Sequence, residues 1–142
     1  MSSTLSGDGP GLAARMGIKP GMVVMEMGYD DDVDTALRDQ IEELTGDAIV
    51  DEDSDEVVDV VLLWFREDDG DLTDLLVDAI GPLADDGMIW LLTPKRGRAG
   101  HVEPSDVSEA ASVAGLSETT MITANSGWAG TRLVGRKSGG RR

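Results

Sequence analysis

Three apolar runs, Met22–Met27, Val57–Phe65 and Met88–Thr93, alternate with stretches of helical periodicity, and this alternation limits what the chain can fold into more than any other feature. Val57–Phe65 is broken only by Asp59, and Met22–Met27 only by Glu26. Such near-continuous runs suit strands buried on both faces. Between the first two, Val33, Ala36, Leu37, Ile41 and Leu44 fall at helical spacing, predicting a helix over Asp31–Thr45. Asp30 or Asp31 is available as its N-cap, and Gly46 suits the position just past its end. Asp71 caps a second helix carrying Leu72, Leu75, Leu76, Ala79, Ile80 and Leu83. Strands alternating with helices predict an α/β fold: a mostly parallel, Rossmann-like sheet with helices on both faces.

The rest of the chain fits this plan. Leu12–Gly17 reads as a short helix stopped by glycine, Ala48–Val50 as a short strand, and Asp51–Glu56 as an acidic loop. Asp85-Asp86-Gly87 reads as a turn into the third strand. Pro104 opens a helix through Ala114 that Gly115 ends. Leu116–Ala124 and Trp128–Arg136 flank Asn125-Ser126-Gly127 as a C-terminal antiparallel hairpin. The expected organisation is a disordered N-terminal tail (1–11), one α/β domain (12–136) and a basic C-terminal tail (137–142).

Charge is unevenly placed. Between Glu26 and Asp86 there are 23 acidic residues against Arg38 and Arg66, a net of −21, whereas Gly87–Arg142 carries 8 basic and 4 acidic residues, a net of +4. The acidic field opposes nucleic acid and anionic membranes as partners. It suits either a solubilising surface, as in a salty cytoplasm, or a face for a basic partner. No apolar run approaches the ~20 residues of a membrane span, and Met1–Gly11 lacks the marks of a signal peptide. A cytoplasmic protein is expected. The chain has no cysteine and a single histidine, which argues against disulfides and zinc.

In open parallel sheets ligands sit beyond the carboxyl ends of the strands, where Gly28–Asp32, Trp64–Asp71 and Thr93–His101 should converge. A backbone cradle needs glycines, yet Gly28 is followed by Tyr29-Asp30-Asp31-Asp32, whose carboxylates would repel a phosphate and suit a helix N-terminus instead. No window has the acid and glycine spacing of a calcium loop. Asp30–Asp32 with Glu67–Asp69 suits at most loose magnesium binding, and no dedicated metal site is expected. Lys95, Arg96, Arg98 and His101 gather cations and the sole histidine in one glycine-containing loop. They either grip an anion or form a solvated loop that offsets the acids opposite. Trp64, Trp90 and Trp128 are expected in the core, with Trp64 a candidate for stacking on a ring if it points outward.

Leu12–Gly21 leading into Val23-Val24-Met25-Glu26-Met27-Gly28, the strand Asp59–Trp64, and Leu83–Pro94 together resemble the corresponding motifs of class I S-adenosylmethionine-dependent methyltransferases. Glu26 stands where that family has an acid, and Gly28 where it has its first glycine. The resemblance implies S-adenosylmethionine as cofactor, held around Glu26, Gly28, Asp30, Trp64 and Arg66. The departures are the acids after Gly28, only about thirty residues between Gly28 and Asp59 for the family's second and third strands, and no secure ribose-binding acid, Asp51 being nearest. Phe65-Arg66-Glu67-Asp68 is no recognised catalytic tetrapeptide, and no catalytic residues are assigned. The longer matches, Lys19-Pro20-Gly21, Asp55–Trp64, Leu92–Lys95 and Gly100–Pro104, resemble a small actinobacterial domain-of-unknown-function family. The expectation is a non-catalytic cytoplasmic binding or regulatory protein on a degenerate, truncated methyltransferase-like fold. It would bind a small molecule or protein, with no cofactor expected and S-adenosylmethionine the candidate if it holds one; the alternative is a divergent methyltransferase.

Overall fold

A computed structural model describes residues 11–123 and 127–135. The expected tails, apart from Gly11, and the Asn125-Ser126 part of the hairpin turn lie outside the described residues. The elements run α1 (Gly11–Arg15), β1 (Val24–Met27), α2 (Thr35–Thr45), β2 (Val58–Trp64), α3 (Leu72–Ile80), β3 (Leu83–Pro94), α4 (Pro104–Ala114), β4 (Leu116–Thr123) and β5 (Trp128–Gly135). The sheet order is β1-β2-β3-β5-β4. β1, β2 and β3 are parallel, while β5 pairs antiparallel with both β3 and β4.

Both faces of the sheet are buried along β1, β2 and the Met88–Pro94 part of β3, as the unbroken apolar runs require, whereas β4 is largely exposed. Val60, Leu62 and Trp64 of β2 point to one side with Leu12, Met16, Leu37 and Ile41 of the α1–α2 layer. Val61 and Leu63 point to the other with Leu72, Leu76, Val107 and Ala111 of α3 and α4. Val24 lies on the α1–α2 side, so Glu26, two residues on, faces the same way. The indole N–H of Trp90 donates to the Met16 carbonyl at 2.9 Å, tying the α1 segment to β3.

Three local expectations need correction. Asp34, not Asp30 or Asp31, caps α2: its carboxylate accepts from the Leu37 amide at 3.0 Å, and the helix starts at Thr35. Ala48–Val50 is not a strand but a single parallel bridge between Val50 and Met25, with Val50 bonded to the backbone of Val24 and Glu26. Asp85-Asp86-Gly87 does not precede β3 but lies within it, and Leu83, expected on the helix after Asp71, is the first residue of β3, since α3 ends at Ile80; the register then jumps from Val58↔Leu83 to Val60↔Met88. Gly87 is required there, since a Cβ would lie 2.7 Å from Leu83 and 2.9 Å from the Asp59 carbonyl. β1 is also shorter than its apolar run, and just before it the Val23 amide donates to the Asp59 carboxylate at 2.9 Å.

Candidate functional site

The strand ends expected to meet a ligand do converge, and their polar groups bond chiefly to one another. Glu26 is 7% exposed and accepts three hydrogen bonds. Arg38 Nε and Nη2 donate to its two oxygens at 2.7 and 3.0 Å, and the Trp64 indole N–H donates at 2.8 Å. The paired carboxylate holds the Arg38 guanidinium further above its ordinary pKa, against the opposing effect of burial. Trp64 is only 1% exposed, so it is a core residue and not an outward stacking platform. Its ring meets Trp128 edge-on at 5.0 Å. The exposed ring at this edge is Tyr29, with the Arg38 guanidinium 4.9 Å from its centre.

A second cation closes the adjoining gap. The guanidinium of Arg66 donates to both Asp32 oxygens (3.0 and 2.5 Å), the Gly28 carbonyl (2.8 Å) and Asp69 (3.0 Å). It also lies 5.2 Å from the centre of the Trp128 ring, whose N–H donates to the Asp32 carbonyl at 3.0 Å. The hydrogen bond from Arg66 lowers the Asp32 pKa, outweighing the opposing desolvation. Gly28 has φ +80°, and a Cβ on it would lie 2.2 Å from the Trp64 carbonyl oxygen. Its glycine is therefore required by the close passage of β1 past the end of β2. What remains open is a cleft of about 230 Å³ bordered by Gly28, Tyr29, Asp30, Glu52, Arg66 and Asp69.

The five residues Glu26, Gly28, Asp30, Trp64 and Arg66 are thus neighbours, but Glu26, Trp64 and Arg66 bond internally. Asp30 is exposed and accepts from the Asp31 amide at 2.7 Å. Arg38, Asp32, Asp69 and Trp128 complete the network and were missed as partners. One signal points to them: the stretch Glu26–Asp86 has only two cations, Arg38 and Arg66, and both are engaged in this network. No group of three or more potential metal-ligating side chains occurs among the described residues, and between Asp32 and Asp69 sits the Arg66 guanidinium.

The loop expected to grip an anion divides. Lys95, Arg96 and His101 border a separate cleft of about 230 Å³ between α4 and the β3–β5–β4 edge. Arg98 turns to the other side of the sheet, 5.8 Å from the centre of the Trp128 ring. No helix among the described residues is long and apolar enough to cross a membrane.

Comparison with known proteins places this geometry in context. The model of the family described as "Protein of unknown function (DUF3052)" matches residues 13–137. Uncharacterised proteins of Mycobacterium tuberculosis and Mycobacterium bovis are each 51% identical over 126 residues, covering 89% of this chain and 79% of theirs. Among solved structures, a SAM-dependent methyltransferase from Aquifex aeolicus matches with a TM-score of 0.56 at 13% identity, covering 86% of each chain. Human N-acetylserotonin methyltransferase, solved in complex with SAM, matches with a TM-score of 0.59 at 12% identity over 80% of this chain and 48% of that one. At such identities the likeness establishes the fold alone. The chain belongs to the DUF3052 family, a family with actinobacterial members, and has a Rossmann-like fold of the class I methyltransferase type.

Proposed function

We propose that this protein is a non-catalytic binding or regulatory protein whose methyltransferase-like fold has lost its cofactor site. The observation that carries this reading is the engagement of the Glu26 carboxylate. Both oxygens accept from Arg38, with Trp64 adding a third bond, so a cofactor hydroxyl or amine would have to compete with a buried ion pair for Glu26. The neighbouring Gly28 carbonyl is bonded by Arg66. Beside β1, where the related fold has further strands, only the Val50 bridge is found among the described residues. These residues do not fit S-adenosylmethionine.

Calorimetric titration with S-adenosylmethionine and S-adenosylhomocysteine tests the reading, together with transfer of a labelled methyl group to acceptors in a cell extract. The expected result is no heat and no transfer. Saturable heat with either compound, or label in any acceptor, would favour a divergent methyltransferase instead.

A further inference from the structure

The cleft bordered by Lys95, Arg96 and His101 lies across the sheet from the Glu26 network. Its floor is formed by Val102 and Val107 of the α4 side, with Met121 of β4 at the edge, 68% exposed. At about 230 Å³ it is smaller than the ~300–1,000 Å³ of sites for drug-sized ligands. It therefore suits a compact occupant.

We propose that this cleft binds a small organic anion, a carboxylate or phosphate group on a short apolar body. The inference rests on the binding-protein reading above and names the ligand class. Lys95 and Arg96 face the cleft without an ion-pair partner among the described residues, in a chain of net charge −16. Among the described residues Glu118 is the one acid lining it, with Glu103 beside His101, and the Glu118 carboxylate already accepts from the Ser108 hydroxyl at 2.9 Å.

His101 supplies the second, independent observation. Its Nδ1 lies 2.9 Å from the Pro94 carbonyl, which can only accept, so Nδ1 carries a proton. That leaves Nε2 buried with no hydrogen-bond partner; the Glu103 carboxylate stands 3.7 Å away and is 63% exposed. A buried polar atom without a partner calls for an explanation. An occupant of the cleft that displaces the loosely held Glu103 gives Nε2 its missing partner. Cations for the head group and Val102, Val107 and Met121 for the body then form one amphipathic site.

The test is calorimetry on the full chain with benzoate and phenyl phosphate as probes, and inorganic phosphate as the arm without an apolar body. Benzoate, phenyl phosphate or both should bind, with inorganic phosphate at least several-fold weaker. Lys95→Gln and Arg96→Gln should each weaken binding by roughly tenfold, since charge-assisted bonds are the strong ones. Glu118→Gln should tighten it about two- to fivefold by removing a like charge. Arg98→Gln, which alters a side chain on the other face, should leave it unchanged.

Silence with both organic probes up to roughly 10 mM, well beyond a millimolar Kd, would overturn the site. Inorganic phosphate binding as tightly as phenyl phosphate would mean adsorption to a basic loop and would also overturn it. So would weaker binding in Glu118→Gln, which would mark a cationic ligand, or an equal loss in Arg98→Gln. These outcomes stand apart from the S-adenosylmethionine titration: heat there would overturn the binding-protein reading, whereas silent anion titrations would overturn this site alone.

Discussion

Replacing Arg66 by methionine removes the guanidinium that closes the strand-end gap while keeping most of the aliphatic stem. The cost follows from what each acceptor does next. Asp32 and Asp69 are 45% and 33% exposed, so both regain water and their pairing is worth no more than about 0.5–1 kcal/mol each. The Gly28 carbonyl loses a 2.8 Å charged donor, and the buried Trp64 carbonyl loses a weaker contact at 3.4 Å; together these cost about 1–2 kcal/mol. The contact with the Trp128 ring adds about 0.5 kcal/mol. The expected loss is about 3 kcal/mol, a large share of the ~5–15 kcal/mol of a typical domain. Urea unfolding followed by tryptophan fluorescence reads it directly, with m unchanged if the native fold is kept. The pH dependence gives a second reading. Arg66 lowers the folded-state pKa of Asp32, so the pair's contribution is full above the unfolded carboxylate value of 3.8 and is lost as pH falls through the lower folded value. The gap between wild type and Arg66→Met should therefore be constant from pH 8 to about 5 and narrow in the acid range. A loss under about 0.5 kcal/mol would reduce the closure to a solvated surface contact. A gap that does not narrow by pH 2 would refute the assignment of Asp32 as its charged partner.

Arg38→Ala leaves the Glu26 carboxylate, 7% exposed, without its cation and should cost about 3 kcal/mol. Glu26→Gln should cost about 1–2 kcal/mol, and a double-mutant cycle should show coupling above about 1 kcal/mol; additivity would break the network argument. Gly28→Ala should cost more than about 3 kcal/mol or prevent folding, because backbone must move to relieve a 2.2 Å contact. Gly46→Ala, with nothing within 4 Å, should cost only about 1 kcal/mol of left-handed strain by the same urea unfolding. Asp34→Ala should lose about 1 kcal/mol as a helix cap, while Asp31→Ala should stay within about 0.5 kcal/mol; equal losses would reassign the cap.

What was legible in the chain was decided locally. β2 announces itself because both its faces are buried, and α3 and α4 because Asp71, Pro104 and Gly115 act within one turn of the helices they delimit. The errors arose where local chemistry was degenerate. Asp30, Asp31, Asp32 and Asp34 are all good caps by type, and geometry selects Asp34 while Asp32 is drawn to Arg66, thirty-four residues away. The start of β3 was hidden because an Asp-Asp-Gly turn signal and a three-residue excess in a strand look alike in one dimension. At the site, Glu26, Gly28, Trp64 and Arg66 were legible as neighbours from strand order, but their use was not. An acid at a strand end reads the same whether its partner is a ligand or an arginine on the next helix.

That ambiguity gives the two cations of the acidic segment their weight. With 23 acids between Glu26 and Asp86, a cofactor-binding cleft would hold mutually repelling carboxylates when empty. Arg38 and Arg66 neutralise the acids nearest the strand ends, Glu26 and Asp32, and the backbone between those acids folds back through Gly28 onto Trp64. Because a buried acid and its cation are costly to separate, a ligand using Glu26 and the Gly28 carbonyl would need two changes, one loosening Arg38 from Glu26 and one moving Arg66 off the Gly28 carbonyl. The cleft that faces α4 needs neither, since its cations are free of internal ion pairs among the described residues. Within this fold, a ligand of opposite charge meets the lower barrier there.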